Sequence, residues 1–199
     1  MKAVMRKAEE LIKVKGIVRT SEFVKLGISR VYITRLVKRG IARRVARGLY
    51  EFIDHEITEK NTFALVSKMV PSGVVCLLSA LVFHGVTTQM PRYIWIAINR
   101  QTRIPRAKDL PVKIVRFSGS PMTEGIEEHE IEGVRVRVFN IAKTVADCFK
   151  FRNKVGLDVA LEALAEVRRG KLATSDDLWK YAKICRVAKV MRPYMEAIQ

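Results

Sequence analysis

A chain of 199 residues is long enough for one large domain or two small ones, and 49% hydrophobic with 29% charged residues excludes a disordered protein. No apolar run approaches the ~18 residues of a membrane helix and no signal-peptide pattern is present, so we expect a cytoplasmic protein. The 37 Lys and Arg against 20 Asp and Glu give a net charge of +17. Residues 1–50 hold 14 basic and 3 acidic residues, whereas residues 51–139 are nearly neutral, which indicates a local surface for a polyanion.

The first 40 residues contain the pattern of a helix-turn-helix. Apolar residues at helical spacing predict a first helix that stops before Gly16. Thr20 or Ser21 would cap a short second helix, and Gly27 would end it in a conformation that glycine adopts easily. Ser29 would cap a third helix, which is strongly basic. Two short helices joined by a glycine-containing turn, the second of them basic, are typical of this motif.

A basic β-hairpin is predicted directly after these helices. The runs Ile41 to Val45 and Leu49 to Ile53 are rich in β-forming residues. The short turn Ala46-Arg47-Gly48 separates them, with glycine where a positive φ is expected. Three helices followed by such a hairpin predict a winged helix-turn-helix domain.

The third helix, residues 30–39, has an apolar and a basic face when its residues are placed at steps of about 100°. Ile33, Leu36 and Val37 share the apolar face, with Tyr32 at its edge. We expect the apolar face to pack on the other helices and the opposite face to be exposed. That opposite face comprises Val31, Thr34, Arg35 and Lys38, flanked by Arg30 and Arg39.

The basic face suits the major groove of DNA. Arg35 or Lys38 would reach O6 and N7 of guanine. Thr34 would bind a base or a phosphate, and Val31 would contact the methyl group of thymine. A solvated helix face is the alternative, because Lys and Arg usually lie outside. The hairpin favours DNA binding, because a wing runs along the DNA backbone or minor groove and folding does not require its arginines, which are Arg43, Arg44 and Arg47.

An α+β domain is predicted for the rest of the chain, after the polar segment Asp54 to Asn61. A small sheet followed by a run of helices is typical of this class. We therefore divide the chain into a winged helix-turn-helix domain, residues 1–56, and a C-terminal α+β domain, residues 57–199. The predicted elements of the second domain are helices at 62–70 and 74–85, strands at 92–99 and 112–118, a hairpin turning at Glu132-Gly133, and helices at 141–151, at 156–170 and from Thr174.

Polar residues of the second domain do not form a convincing catalytic site. Ser79, His84 and Asp147 can be combined into a catalytic triad only on paper. No metalloprotease, nucleophile-elbow, Walker or Rossmann motif is present. Asp109, Lys113 and Glu128 could belong to a metal-nuclease site, but their order in the sequence and their positions relative to the predicted strands do not fit one. The sequence therefore predicts a protein that is not an enzyme.

The cysteines predict neither a metal site nor a disulfide framework. Cys76, Cys148 and Cys185 are far apart, odd in number and set among apolar neighbours. Such cysteines are typical of buried thiols in a reducing compartment. We therefore expect no metal and no cofactor.

Several stretches of the chain carry a family resemblance. They are "LLSALVFHGVTTQMPRYIWIAI" (77–98), "VRVFNIAKTVADCFKFRNKVGLDVALEAL" (136–164) and "LWKYAKICRVAKVMRPYMEA" (178–197), together with "RGLYEF" (47–52) at the end of the winged module. With these stretches the chain resembles the AbiEi family of antitoxins over nearly its whole length. The resemblance implies a two-domain protein whose N-terminal domain binds inverted repeats upstream of its own operon, an arrangement that would suit a dimer on the DNA. The C-terminal domain would counter a nucleotidyltransferase-type toxin without forming a stable complex, as in type IV systems.

The resemblance also implies which residues meet nucleic acid. The DNA contacts of the family fall by position on the helix from Ser29 to Arg39 and on Arg43, Arg44 and Arg47. Basic residues of the C-terminal domain are implicated as well. Here the candidates for additional phosphate contacts are Lys143, Lys150, Arg152 and Lys154.

Two other functions are compatible with the sequence. The chain would be a transcription regulator if its C-terminal domain sensed a small ligand or mediated dimerisation. Tyr93 and Trp95 near the sheet would then line a pocket, although such aromatic residues more often pack in a core. A nuclease with a DNA-binding domain is the third interpretation, and it lacks an active site.

Overall fold

The computed structural model describes residues 2–54, 60–103 and 111–197. They form a mixed structure of helices and two small sheets, which confirms the predicted α+β class. The described residues divide into two compact units. The first unit comprises residues 2–54, 60–71, 111 and 130–136, and the second comprises 72–103, 112–129 and 137–197. The predicted boundary after residue 56 lies outside the described residues and stays a prediction.

The first unit contains the predicted winged helix-turn-helix and one further helix. Its three strands form an antiparallel sheet in the order β1-β3-β2, in which β2 and β3 are the wing. The three residues of β1 are too few for a periodic pattern, so sequence reasoning missed this strand. The elements are α1 (Lys2–Lys15), β1 (Ile17–Arg19), α2 (Thr20–Lys25), α3 (Arg30–Lys38), β2 (Ala42–Ala46), β3 (Leu49–Phe52) and α4 (Asn61–Met69).

The start of α2 differs from the predicted cap. Arg19, not Thr20 or Ser21, precedes the helix, because its strand pairing with Leu49 continues up to the first helical turn. The backbone N–H of Arg19 donates to Glu22 Oε2 at 2.9 Å, and the Thr20 hydroxyl donates to the carbonyl of Gly48 at 3.3 Å. The local sequence therefore locates the helix correctly but assigns its first contacts wrongly.

The core of the first unit fixes α3 on its neighbours. Ile28 precedes α3 and Ile33 lies inside it, and both are 1% exposed. They pack in one cluster with Leu36 of the same helix and Phe23 of α2. Ser29 is the residue before the helix, as predicted, but its side chain makes no capping hydrogen bond. Hydrophobic packing, rather than a side-chain cap, holds the start of α3.

The second unit contains a five-stranded sheet in the order β6-β5-β4-β8-β7, except that residues 130–136, the turn between β7 and β8 with the adjoining strand ends, belong to the first unit. Most helices of the second unit lie later in the chain. The predicted helix at 74–85 is wrong at its start, because Val74 and Val75 pair with Ala97 and Ile96 as a short strand. The elements are β4 (Val74–Val75), α5 (Leu77–Phe83), β5 (Ile94–Asn99), β6 (Val112–Phe117), α6 (Ser120–Thr123), β7 (Ile126–Ile131), β8 (Val134–Phe139), α7 (Ile141–Lys150), α8 (Arg152–Val155), α9 (Leu157–Arg169), α10 (Ser175–Ile184) and α11 (Ala188–Ala197).

Helix α7 is the centre of the second unit. All of its residues from 142 to 149 are buried, and apolar side chains of α5, α9, α10 and α11 belong to the same cluster. The predicted cap of α10 is present: Thr174 Oγ1 accepts the backbone N–H of Asp177 at 3.1 Å. Cys76, Cys148 and Cys185 are free and buried, which confirms the expected state of these thiols. Within the described segments, none of the helices is long and apolar enough to cross a membrane.

Candidate nucleic-acid interface

Helix α3 has a buried and an exposed face. Ile33 and Leu36 are buried, whereas Val31 is 56% exposed and Val37 is 36% exposed. Val37 was predicted on the packed face and lies at its edge, because a nine-residue helix buries only the narrow stripe that faces α1 and α2. Val31 is an exposed apolar side chain among basic residues, and it can contact an apolar group of a ligand.

The other predicted contact residues of α3 share its exposed face. Three of them already have an interaction with the protein. The Thr34 hydroxyl donates to the carbonyl of Arg30 at 3.2 Å, and the Arg35 guanidinium lies 5.3 Å from the centre of the Tyr32 ring. Arg39 Nη1 is 3.6 Å from Glu9 Oε1 on α1. The exposed residues of this face are Ser29, Arg30, Val31, Thr34, Arg35, Lys38 and Arg39.

The three arginines of the wing differ in their contacts. Arg43 donates from both Nε and Nη2 to Glu51 Oε2, at 2.7 Å and 2.6 Å, and Glu51 is 1% exposed. Arg44 Nε donates to the carbonyl of Ala46 at 3.3 Å, which holds the side chain beside the turn. Arg47 is exposed within that turn. Arg43 is therefore an ion-pair partner of a buried carboxylate, a role that its position in a basic hairpin did not indicate.

The turn of the wing has a left-handed backbone. Gly48 has φ of 73°, a conformation that residues with a side chain rarely adopt, and the strand pairing shifts register between Arg44 and Ala46. Strand β2 runs from Ala42 to Ala46, so it begins and ends one residue later than predicted. The wing is thus a short bulged hairpin with Arg44 before the bulge and Arg47 after it.

The C-terminal candidates for phosphate contacts separate into one buried and three accessible residues. Lys143 is 0% exposed, so its predicted phosphate contact is wrong: a fully buried ammonium group cannot reach a phosphate of another molecule. Lys150 is exposed, and its Nζ donates to the carbonyl of Cys185 at 3.1 Å. Arg152 Nη1 donates to the carbonyl of Phe149 at 3.0 Å, and the Lys154 ammonium is 5.6 Å from the centre of the Phe151 ring.

Lys143 instead belongs to a buried polar cluster that Lys143 and Asp147 of α7 form with Cys185 at the end of α10. Its Nζ is 2.5 Å from Asp147 Oδ2, one helical turn further on, and 4.1 Å from the centre of the Phe139 ring. Cys185 donates from Sγ to Asp147 Oδ1 at 3.2 Å. Burial raises the pKa of Asp147 above its ordinary value of 3.8, and the neighbouring Lys143 opposes that rise. The four-residue spacing of Lys143 and Asp147 in an otherwise apolar helix was the signal that sequence reasoning missed.

The residues of the hypothetical catalytic triad have separate partners. Ser79 Oγ accepts the backbone N–H of Trp95 at 2.9 Å, and a ring nitrogen of His84 lies 2.9 Å from the carbonyl of Phe139. Asp147 contacts Lys143 and Cys185 and neither of these two. The described residues contain no group of three metal-ligating side chains. Asp109 of the hypothetical nuclease site lies outside the described residues.

The two aromatic residues proposed for a ligand pocket differ in burial. Trp95 is 5% exposed and belongs to the core cluster of the second unit. Tyr93 is 42% exposed. Trp95 is therefore a packing residue, and the Lys113 ammonium lies 4.1 Å from the centre of its ring.

The fold and the comparisons with known proteins agree on the class of protein. Three helices with an antiparallel wing define a winged helix-turn-helix, a fold used by transcriptional regulators. Residues 6–53 match the family described as "Transcriptional regulator, AbiEi antitoxin", which supports a general role as a regulator or antitoxin. The match confirms the resemblance for the winged module, and the stretches quoted from residue 77 onwards lie outside the matched residues.

A comparison with solved structures finds a similar fold. The crystal structure of the RV2827C protein from Mycobacterium tuberculosis superposes with a TM-score of 0.55 and 13% sequence identity. The match covers 96% of this chain and 80% of that chain, and at this identity it is evidence about the fold alone. A comparison with curated proteins gives no significant match.

Proposed function

We propose that this chain is a sequence-specific double-stranded DNA-binding protein that represses its own promoter and acts as an antitoxin. The observation that carries the DNA-binding part is the exposed face of α3, which presents three cations, a hydroxyl and a valine, with Arg39 directly after the helix, while Ile33 and Leu36 anchor it. The family match over residues 6–53 supports the regulatory and antitoxin role.

In this proposal α3 enters the major groove and the wing follows the DNA backbone. Arg35 and Lys38 bind O6 and N7 of guanine, because a guanidinium or ammonium group matches these acceptors. Val31 contacts the methyl group of thymine. Arg44 and Arg47 bind phosphates and orient the protein on the duplex without reading the sequence.

The charge of the chain supports a polyanionic partner. Residues 1–50 hold 14 of the 37 basic residues and 3 of the 20 acidic ones. Neutralising DNA phosphates with these cations releases condensed counterions, so binding would depend strongly on salt. Lys150, Arg152 and Lys154 would add phosphate contacts from the second unit. No cofactor or metal is part of this proposal.

The antitoxin part concerns a toxin of the nucleotidyltransferase type. The second unit would counter this toxin without a stable complex, and the N-terminal unit would bind inverted repeats, either as a monomer or as a dimer on the DNA. A plasmid test separates the two roles: full-length chain with Arg35→Ala and Lys38→Ala should still rescue cells that express a neighbouring toxin gene. If rescue requires Arg35 and Lys38, protection works through repression.

A footprint on the region upstream of its own gene tests DNA binding directly. We expect the purified chain to protect a short segment containing inverted repeats at concentrations that leave an unrelated duplex of the same length unprotected. Equal binding to both duplexes would contradict sequence specificity, and no binding at low salt would contradict the proposal.

The alternative function is a regulator whose second unit senses a small ligand or mediates dimerisation. An open groove with a volume of about 890 Å³ at the junction of α9 and α10 is where such a ligand would bind. Arg168, Arg169, Lys171 and Asp177 are among its lining residues. Ligand-dependent change in operator affinity, without any effect on toxin-expressing cells, would favour this alternative.

A further inference from the structure

A polar network surrounds one buried carboxylate at the wing of the first unit, and the Arg43 side chain that belongs to it is 46% exposed. Glu51, on the central strand β3, is 1% exposed, and both of its carboxylate oxygens accept hydrogen bonds. Oε2 accepts the fork of Arg43 at 2.6 Å and 2.7 Å, and Oε1 accepts Nδ2 of Asn61 at 3.0 Å. Asn61 also donates from Nδ2 to Glu132 Oε2 at 3.0 Å. The network therefore connects the wing with α4 and with the turn of the β7–β8 hairpin.

The position of this network in the sheet separates Arg43 from Arg44. Arg43 pairs across the ladder with Glu51, and Arg44 pairs with Tyr50. Successive side chains of a strand point to opposite faces of the sheet. Arg43 shares its face with the buried Glu51, whereas Arg44 shares its face with Tyr50, which packs on the helical core.

The ion pair lies at the base of the bulged turn. Regular pairing of β2 with β3 ends at Arg44, and the register shifts before Ala46. A wing anchored immediately before this bulge has a defined direction, because two N–H groups of Arg43 hold Glu51 Oε2 and the amide of Asn61 holds Oε1. A buried carboxylate without its partner would be strongly unfavourable, so the pair also resists separation of the two strands.

We infer that Arg43 and Glu51 are positioning residues of the DNA interface, and that Asn61 and Glu132 support them. The pair holds the wing so that Arg44 and Arg47 meet the phosphates, while Arg43 itself contacts Glu51 and not DNA. This inference rests on the proposed DNA-binding function. It replaces the sequence-based assignment of Arg43 as a phosphate contact.

The direction in which one substitution changes operator affinity tests the inference. Glu51→Gln removes a negative charge from a DNA-binding surface, so a purely electrostatic role for this residue would strengthen DNA binding. A positioning role requires the opposite: a neutral amide in place of the carboxylate accepts the guanidinium fork only weakly, and operator affinity should fall about tenfold. Glu10→Gln is the matched control, because it removes the same charge from an exposed position on α1, and its operator affinity should equal or slightly exceed that of the wild type.

Arg43→Lys supplies a second test that keeps the charge. Lysine is a point charge and lacks the planar fork, so it should weaken operator binding nearly as much as Arg43→Ala does. The double variant Arg43→Ala/Glu51→Gln should bind the operator no more weakly than whichever single variant has the lower affinity, because each change removes the same interaction. All proteins are full length, and circular dichroism with thermal unfolding identifies any variant that is not folded at the assay temperature.

Each outcome decides between the alternatives. The inference would be overturned if Glu51→Gln bound the operator as tightly as the wild type or more tightly. Wild-type operator affinity in Arg43→Lys would overturn it as well. If Glu51→Gln is unfolded, Arg43→Lys and Asn61→Ala decide, since both retain the buried carboxylate and its charge. A wild-type protein that does not bind duplex DNA at all contradicts the proposed function, whereas wild-type binding with unaffected variants contradicts only the positioning role.

Discussion

The Lys68 ammonium on α4 lies 3.0 Å from both carboxylate oxygens of Glu22 on α2. Lys15 at the end of α1 donates to the same carboxylate at 2.9 Å, and the backbone N–H of Arg19 donates to it as well. Three helices of the first unit thus meet at one acidic side chain. Burial alone would raise the pKa of Glu22, but these hydrogen bonds and charges hold it below its ordinary value of 4.5.

The first prediction concerns the pH dependence of stability. Because the pKa of Glu22 is lower in the folded than in the unfolded chain, its stabilising contribution is present above about pH 4.5 and is lost as the pH falls through the folded pKa. Glu22→Gln should therefore unfold more easily than wild type at pH 7, by about 1 kcal/mol. Thermal unfolding at several pH values should show this difference shrinking as the pH falls below about 4.5 and through the folded pKa. A difference independent of pH would show that the loss is one of packing.

The second prediction separates base recognition from phosphate binding. Arg35→Ala and Lys38→Ala should relax the preference for particular base pairs, because a lost guanine contact costs about 1–3 kcal/mol of discrimination. Arg44→Ala and Arg47→Ala should weaken all duplexes similarly. Competition binding against a set of single-base operator variants measures this.

The control for this comparison is Lys189→Ala. Lys189 is an exposed lysine on α11 of the second unit, distant in sequence from the wing and α3, and its substitution removes the same charge. Its sequence preference should equal that of the wild type. Equal, sequence-independent losses for Arg35, Lys38, Arg44 and Arg47 would place the recognition face elsewhere on the molecule.

The third prediction is the salt dependence of binding. If about six to eight phosphates are neutralised, the slope of log K against log salt should be about −5 to −7. Arg44→Ala should reduce the magnitude of this slope by about 0.9, the value for one phosphate. Filter binding or fluorescence anisotropy between about 50 and 200 mM salt gives the slope. A slope near zero would mean that the positive charge of residues 1–50 does not meet phosphates.

The fourth prediction concerns the buried pair in α7. Lys143→Met should destabilise the protein by about 3–5 kcal/mol, because it removes the ion-pair partner of the buried Asp147 carboxylate. Lys143→Met combined with Asp147→Leu should recover most of the loss, since two apolar side chains can replace a buried pair. Urea unfolding measures both. If Lys143→Met had wild-type stability and bound DNA more weakly, that result would support a phosphate contact for Lys143 and contradict its burial.

The fifth prediction concerns the thiols. Burial raises the pKa of Cys185 to about 12 and raises the pKa of Cys76 and Cys148 as well. Since the thiolate is the reactive form, the folded protein should react slowly with a disulfide reagent at about pH 8. All three thiols should react at once in denaturant. Rapid labelling of one thiol in the folded protein would contradict its burial.

Local sequence patterns were sufficient for most of the helices and for the wing. The periodicity of α1 and α3, and the glycines that follow α2 and α3, act over a few residues and need no distant partner. The alternating valines of β8 and the turn at Glu132-Gly133 are equally local, and both residues of that turn have the positive φ that a tight hairpin requires. The strongly basic face of α3 could therefore be predicted from the sequence alone.

Tertiary structure decided the roles of individual charges, because a sequence shows that a residue is charged but not what lies opposite it. Lys143 and Lys150 look alike in the sequence, yet the first is paired inside the core and the second is exposed. Strand alternation places Arg43 and Arg44 on opposite faces, but only the contacts of Asn61 and Glu132 with this region identify the covered face. The strands β1 and β4, two or three residues long, likewise exist only through the partners with which they pair.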